Sequence, residues 1–208
     1  MINVANVVTV ARVFVGLGAI GMLWVPSDQW RWAAFFITAF VIYADALDGY
    51  LARKLNLASK FGGILDIAGD RAVEMSYWIA FCALGWIQVW VPILYVIRGT
   101  FVDGIRSFAS EQGYTAFGAK TMMQSGLGKF LVASNFSRFT YAVAKAVAFC
   151  LLIAAHTEFG SRYHVEPVAL AFVYISCAFC VLRGLPVLVE SKGLFQNEAP
   201  PPVQKTPR

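Results

Sequence analysis

Four aspartates stand close together in the first third of the sequence, at Asp45, Asp48, Asp66 and Asp70. The spacings of three and four residues place each pair on one face of a helix. The short connection between the pairs makes the two helices antiparallel neighbours, so the pairs can face each other. Four carboxylates without histidine or thiolate ligands select hard divalent cations, Mg²⁺, Mn²⁺ or Ca²⁺. The pattern predicts a two-metal site suited to phosphoryl or phosphodiester chemistry.

Glycines and a basic residue accompany the aspartates. Gly49 and Gly62 allow a ligand to approach the backbone closely. Arg53 follows the first acidic pair by about one helical turn, where it can meet a diphosphate. A plainer interpretation pairs the acids with solvated basic residues at the helix ends. Four acids at this spacing beside two glycines favour the metal site.

The composition predicts a membrane protein. Of 208 residues, 59% are hydrophobic and 14% are charged, against roughly 25% charged in soluble domains. A membrane-spanning helix needs about 20 apolar residues. Six stretches qualify: Val4–Val25, Trp32–Leu51, Gly63–Gly85, Trp86–Ser107, Phe139–Ala155 and Val168–Val189. We predict an all-α polytopic fold in which residues 1–190 form one domain of six transmembrane helices, followed by a disordered cytoplasmic tail at 191–208.

The loops indicate the orientation of this fold. Basic residues concentrate on one side of the predicted bundle: Arg53, Lys54, Lys60, Arg106, Lys120 and Lys129. The other side carries little beyond Arg31 and Arg162. Because basic loops stay cytoplasmic, both termini and the aspartates are expected on the cytoplasmic side. No cleavable signal peptide is recognised, and a prokaryotic inner membrane is the expected location.

Three further patterns refine this interpretation. The net charge of +5 suits loops that meet anionic head groups, and no basic run or aromatic platform suggests nucleic-acid binding. Five tryptophans near one side predict an aromatic belt: Trp24, Trp30, Trp32, Trp86 and Trp90. Residues 113–137 are too polar to span and predict an amphipathic segment at the interface. The four cysteines lie in apolar stretches and are expected to pack there.

The acidic segment resembles the signature of a known enzyme family. The run Asp45-Ala-Leu-Asp48-Gly49-Tyr-Leu-Ala52-Arg53 is followed, after eight residues, by Gly62-Gly-Ile-Leu-Asp66-Ile-Ala-Gly-Asp70. It resembles the pattern D-x2-D-G-x2-A-R-x7-8-G-x3-D-x3-D of CDP-alcohol phosphatidyltransferases at all eight fixed positions. The resemblance implies a membrane-embedded enzyme, often a homodimer. Its expected activity is metal-dependent transfer of a phosphatidyl group from CDP-diacylglycerol to a small alcohol, with release of CMP.

The resemblance also implies roles for individual residues. Asp45, Asp48 and Asp66 match the family's metal ligands. Asp70 matches a ligand to one metal and the general base for the acceptor hydroxyl. The positions implied for binding the cytidine diphosphate are Asn6, Thr9, Asp48, Gly49, Ala52, Arg53 and Gly62. The implied cofactor is a pair of Mg²⁺ or Mn²⁺ ions.

Two stretches bear on the acceptor alcohol. The segment from Asn3 to Arg12 resembles the N-P-N-x-L-T-x-x-R opening of phosphatidylglycerophosphate synthases, with Ala5 in place of proline. The segment from Arg98 to Arg106 resembles their R-E-x5-L-R stretch, with Gly99 in place of the acid. Glycerol 3-phosphate is therefore the expected acceptor. Inositol phosphate, serine and other alcohols stay open.

A phosphorylated acceptor needs cationic partners near the metals. The available candidates are Arg98, Arg106, Lys129, Arg138 and Lys145, although several of them also suit ordinary cytoplasmic loops. A different class of protein, a cation or proton transporter, would spread its acids through the depth of several helices. Here the acids cluster at one end of two helices, which favours the enzyme.

Overall fold

The computed structural model describes residues 4–54, 60–111, 123 and 125–191, and these contain helices but no strand. The predicted all-α fold is confirmed, and each of the six apolar stretches coincides with a long helix. A π-helix covers Lys129–Ala133. The α-helices are α1 Val4–Met22, α2 Asp28–Lys54, α3 Lys60–Ala83, α4 Trp90–Glu111, α5 Gly126–Gly128, α6 Asn135–Ala155, α7 Glu158–Arg162 and α8 Glu166–Glu190.

Among the described residues, two helices are long and apolar enough to cross a membrane, judged by length and composition alone. They are α6 and α8, and a shorter apolar stretch, Asn6–Met22, lies within α1. Helices α2, α3 and α4 carry more charged residues, including the predicted metal ligands. Membrane crossing by all six helices stays a prediction.

The turn after α3 shows how local sequence ends a helix. Gly85 has a φ of 75°, a left-handed conformation that glycine adopts without steric cost. The Trp86 amide donates to the carbonyl of Phe81 at 2.9 Å, and the Gly85 amide donates to that of Cys82 at 2.9 Å. These two hydrogen bonds close the last turn of α3 and direct the chain towards α4.

The chain divides into two compact units. The first unit comprises residues 1–97 and 141–178, and it contains α1, α2, α3 and α7. The second unit comprises residues 98–140 and 179–208. Helices α4, α6 and α8 contribute residues to both units. Residues 192–208, most of the predicted tail, lie outside the described part of the chain.

Aromatic rings fill the core of the first unit. The ring of Trp78 stacks on Tyr95 at 4.6 Å and meets Phe149 edge-on at 4.7 Å. Tyr77 stacks on Phe149 at 5.0 Å, and its hydroxyl lies 2.7 Å from that of Thr38. Since a buried hydroxyl needs a partner, this bond lets Tyr77 lie fully inside. The core thereby joins α2, α3, α4 and α6.

Helix α1 lies close against α2 and α3 because two glycines lack side chains. A Cβ atom on Gly69 would lie 2.9 Å from Cγ2 of Val13. A Cβ on Gly16 would lie 3.3 Å from Cγ1 of Val73 and 3.7 Å from Cγ1 of Val41. Small residues at such crossings let helices approach closely where lipid weakens the hydrophobic drive. This approach sets the distance between α1 and the acidic face of α3.

The second unit has its own apolar core, formed by Val102, Ala109, Met123, Val132 and Val187. Residues 113–122 and 124 of the predicted interfacial segment lie outside the described part. Met123 and Val132, from that same segment, are 1% and 2% exposed. They therefore pack inside the unit, and the interfacial position of the segment stays a prediction.

A buried arginine satisfies the irregular backbone in the second unit. Arg183 on α8 is 4% exposed. Its guanidinium donates to the carbonyls of Leu131 at 2.8 Å and Val132 at 3.3 Å, and to the Ser137 hydroxyl at 2.6 Å. Both carbonyls lie in the last turn of the π-helix, where backbone carbonyls lack partners within the helix, so this guanidinium supplies donors to them.

The aromatic belt is only partly as predicted. Trp24, Trp30 and Trp90 are exposed, but Trp86 is buried at 9% exposure. Its ring stacks on the imidazole of His156, with centroids 3.9 Å apart. Burial in this stack lowers the pKa of the His156 imidazole below the usual 6.5, since desolvation disfavours the charged ring.

We predict that Gly69→Ala destabilises the fold by about 1–3 kcal/mol, because its new methyl group overlaps Val13. Thermal unfolding in detergent micelles measures the change. Gly18→Ala serves as the control, since a Cβ there meets nothing within 4 Å. Combining Gly69→Ala with Val13→Ala should recover most of the loss, and purely additive losses would refute this packing.

We also predict a pH-dependent stability from His156. Its pKa is lower in the folded state, so the unfolded chain binds the proton more readily. The contribution is fully present above about pH 6.5 and is lost as the pH falls below that value. The melting temperature of the wild type should drop more than that of His156→Gln between pH 8 and pH 5.5. Parallel curves for the two proteins would contradict the prediction.

Candidate active site

The guanidinium of Arg12 on α1 joins three of the predicted acids. Its Nη2 atom lies 3.0 Å from Oδ1 of Asp66 and 2.8 Å from Oδ1 of Asp70, both on α3. Its Nη1 atom contacts Oδ1 of Asp45 on α2. The facing of α2 and α3 inferred from the aspartate spacing is thus observed for Asp45, Asp66 and Asp70. Three helices meet at this cluster.

The cluster is unevenly exposed. The side chain of Arg12 is 7% exposed, whereas those of Asp45, Asp66 and Asp70 are 40%, 44% and 46% exposed. The arginine therefore lies beneath the carboxylates, on the buried side. A desolvated guanidinium is costly unless it is paired, and the three carboxylates supply that pairing. Their outer sides remain open to a ligand.

The three carboxylates suit a divalent cation. One oxygen from each of Asp45, Asp66 and Asp70 lies within 4.8 Å of the others. Carboxylate oxygen is the donor that Mg²⁺ and Mn²⁺ prefer. The three carboxylates thus form a group that could hold a divalent cation of the kind that the sequence implies.

Several predicted residues lie on the helices around the cluster. Asp48, Gly49, Ala52 and Arg53 continue α2 past Asp45, and their side chains are outside the described part of the structure. On α1, Asn6 is buried and Thr9 is half-buried. The Thr9 methyl group would lie 3.8 Å from a Cβ on Gly69, so Thr9 faces α3. Gly62 lies in the first turn of α3.

A cavity of about 160 Å³ opens beside the carboxylates. Its polar lining comprises Arg12, Asp45, Asp70, Glu74 and Lys145, all in the first unit. Its apolar lining comprises Val13, Val41, Ile42, Val73, Tyr77, Ala142, Ala146 and Phe149. The lining is therefore mixed, with three acidic and two basic side chains beside aliphatic and aromatic ones.

Glu74 was missing from the sequence prediction, although it lines this cavity. It lies four residues after Asp70, so Asp66, Asp70 and Glu74 form one acidic stripe along α3. Its carboxylate accepts from Nζ of Lys145 at 2.7 Å and from Nη1 of Arg71 at 2.7 Å. The i, i+4, i+8 spacing inside an apolar helix was the available signal. Arg12 was recognised only within the N-terminal motif, not as a partner of the acids.

The five cations predicted for the acceptor phosphate divide between the two units. Lys145 lines the cavity together with Asp45 and Asp70, and its ammonium lies 4.5 Å from the ring centre of Tyr141. Arg98, Arg106, Lys129 and Arg138 belong to the second unit. Arg98 is buried there, and a Cβ on Gly184 would lie 3.1 Å from its Cγ. Lys129 and Arg138 are exposed.

The cluster can be compared with known families. The sequence model of the CDP-alcohol phosphatidyltransferase domain matches residues 2–182 of the 208. That match covers the acidic cluster, the cavity and all three of the sequence patterns quoted above. The chain belongs to the CDP-alcohol phosphatidyltransferase family. Its members are enzymes, and the predicted resemblance is confirmed.

Curated relatives within the family carry related names. A CDP-diacylglycerol–glycerol-3-phosphate 3-phosphatidyltransferase of Pseudomonas fluorescens is 30% identical over 165 residues, covering 74% of this chain and 84% of the relative. A probable phosphatidylglycerophosphate synthase of Mycobacterium tuberculosis is 28% identical, covering 77% and 81%. An Arabidopsis thaliana CDP-diacylglycerol–glycerol-3-phosphate 3-phosphatidyltransferase is 25% identical, covering 87% and 76%.

We predict that Lys145→Met destabilises this phosphatidyltransferase by about 1–3 kcal/mol, because it leaves the buried Glu74 carboxylate short of a partner. Unfolding in detergent measures the loss. Glu74→Gln combined with Lys145→Met should cost less than the sum of the single changes. Lys129→Met, at an exposed lysine, is the control and should change little. Strict additivity at Glu74 and Lys145 would contradict the pairing.

Proposed function

We propose that this enzyme transfers the phosphatidyl group of CDP-diacylglycerol to glycerol 3-phosphate, forming phosphatidylglycerophosphate and releasing CMP. The observation that carries the proposal is the convergence of Asp45, Asp66 and Asp70 beside a cavity that also contains Lys145. The carboxylates suit the metal-assisted transfer of a phosphate ester, and the lysine suits an anionic acceptor. The names of the relatives support the same donor and acceptor.

The proposed setting is the membrane. We propose six spans, both termini and the carboxylate cluster on the cytoplasmic side, and a prokaryotic inner membrane. Large apolar side chains exposed on the helices support contact with lipid, among them Phe14, Phe36, Ile67, Phe101 and Val189. We further propose that residues 1–190 act as one domain and that the enzyme forms a homodimer.

The proposed metal site uses Asp45, Asp48, Asp66 and Asp70 to hold Mg²⁺ or Mn²⁺. When bound, two such ions neutralise a diphosphate and stabilise the charge that develops as CMP leaves. The described carboxylates already lie close enough together to serve one ion. The positions proposed for holding the cytidine diphosphate are Asn6, Thr9, Asp48, Gly49, Ala52, Arg53 and Gly62.

In the proposed reaction, Asp70 acts as the general base. Its carboxylate takes the proton of the acceptor hydroxyl, whose oxygen forms a bond to the phosphatidyl phosphorus. The bond from that phosphorus to the CMP oxygen breaks, and CMP carries away the electron pair. The guanidinium of Arg12 lies 2.8 Å from Oδ1 of Asp70 and so helps to orient this carboxylate.

The acceptor phosphate is assigned to cationic side chains. Lys145 is the candidate supported by its place in the cavity beside Asp70. Arg98, Arg106, Lys129 and Arg138 remain candidates from the sequence. A phosphorylated acceptor would form charge-assisted hydrogen bonds with such cations, which an uncharged alcohol cannot form to the same extent.

We predict that the purified protein releases CMP from CDP-diacylglycerol with glycerol 3-phosphate and Mg²⁺ or Mn²⁺. Asp70→Asn should lower kcat by about 10²-fold or more, because it removes the base, and a chelator should abolish the reaction. Glu158→Gln, an exposed acid on α7, is the matched control. Serine, inositol and inositol 1-phosphate complete the acceptor panel. Release with one of these but not with glycerol 3-phosphate would refute the acceptor assignment and leave the chemistry intact.

A further inference from the structure

The contacts of Arg12 raise the question of how a metal reaches its carboxylates. The guanidinium engages Oδ1 of Asp45, Asp66 and Asp70 at once. Oxygens of the same three residues form the group that fits one divalent cation. A metal held by these carboxylates would lie close to the guanidinium, and the two cations would compete for them because like charges repel.

The burial of Arg12 determines what happens without metal. The oxygens of the three carboxylates lie within 4.8 Å of one another. Their negative charges repel, and the repulsion is stronger than in water because protein lowers the dielectric constant on the buried side. A cation is therefore needed for the site to remain assembled. Arg12 approaches from the buried side at 7% exposure, and the carboxylates remain 40–46% exposed on the other. A metal ion can thus enter from the open side while Arg12 still holds the carboxylates together.

We propose that Arg12 is an exchangeable counter-ion for the metal site. It holds Asp45, Asp66 and Asp70 together before metal binds, and it competes with the incoming ion for their oxygens. The cavity, which Arg12 also lines, provides room for the displaced guanidinium. This inference rests on the proposed metal site, and it makes Arg12 a positioning residue that sets metal affinity.

The test is Mn²⁺ binding to purified protein in detergent micelles without substrate, followed by the electron paramagnetic resonance signal of free Mn²⁺. Arg12→Gln removes the competing charge and should bind Mn²⁺ at least tenfold more tightly than the wild type. Arg12→Lys keeps a charge but makes fewer simultaneous contacts, so it should fall between them. If Arg12→Gln fails to fold, the Mn²⁺ affinity of Arg12→Lys relative to the wild type tests the proposal.

The control is Arg31→Gln, which removes another arginine of the first unit. Arg31 donates to the backbone carbonyl of His156, and it precedes Asp45 by fourteen residues along α2. Its Mn²⁺ affinity should equal that of the wild type. A second readout is thermal stability, where Arg12→Gln should melt below the wild type without metal and gain more from added Mn²⁺.

The outcomes separate the two proposals. Equal or weaker Mn²⁺ binding by both Arg12 variants, with normal binding by the wild type, would overturn the exchange and leave the metal site standing. Absence of Mn²⁺ binding in the wild type and in Arg12→Gln alike would overturn the metal site and the exchange together. Tighter binding that disappears when Asp66→Asn is added would support both.

Discussion

The balance of charge around Arg12 is the constraint on which the rest of the site depends. One guanidinium, nearly removed from solvent, meets carboxylates from two other helices. The buried guanidinium needs these partners, because an unpaired charge in a low-dielectric site is costly. The pairing therefore requires α1, α2 and α3 to pack together at the level of these side chains. Gly16 and Gly69 make this possible by allowing α1 to approach its neighbours at van der Waals distance.

The same principle extends along α3. Asp66, Asp70 and Glu74 follow one another at intervals of four residues, and each has a basic partner. Arg12 serves the first two, and Lys145 with Arg71 serves Glu74. The cavity lies along this stripe. An enzyme that handles anionic substrates near lipid gains from such an arrangement, since its cations are held in place by acids until a phosphate arrives.

The second unit satisfies its polar groups in a different way. The π-helix at Lys129–Ala133 interrupts the regular pattern of backbone bonds, and the buried Arg183 supplies donors to two carbonyls there. Irregular backbone among apolar helices persists only where such partners exist. Arg183 also bonds the Ser137 hydroxyl near the start of α6. The charged Arg183 in α8 thus stabilises backbone carbonyls, whereas the charged residues of α3 belong to the candidate active site.

The sequence by itself determined the elements, the family and the acidic residues. The apolar stretches, their turns and the aspartate spacing are local patterns, and the structure of 4–54, 60–111, 123 and 125–191 agrees with them. Partners distant in sequence were decided only by tertiary structure. Arg12 is 58 residues from Asp70, and Glu74 is 71 residues from Lys145. Spacing along the chain therefore does not indicate that either pair is in contact. Trp86 was placed in the aromatic belt by its residue type and is buried by packing, because burial depends on which helices meet.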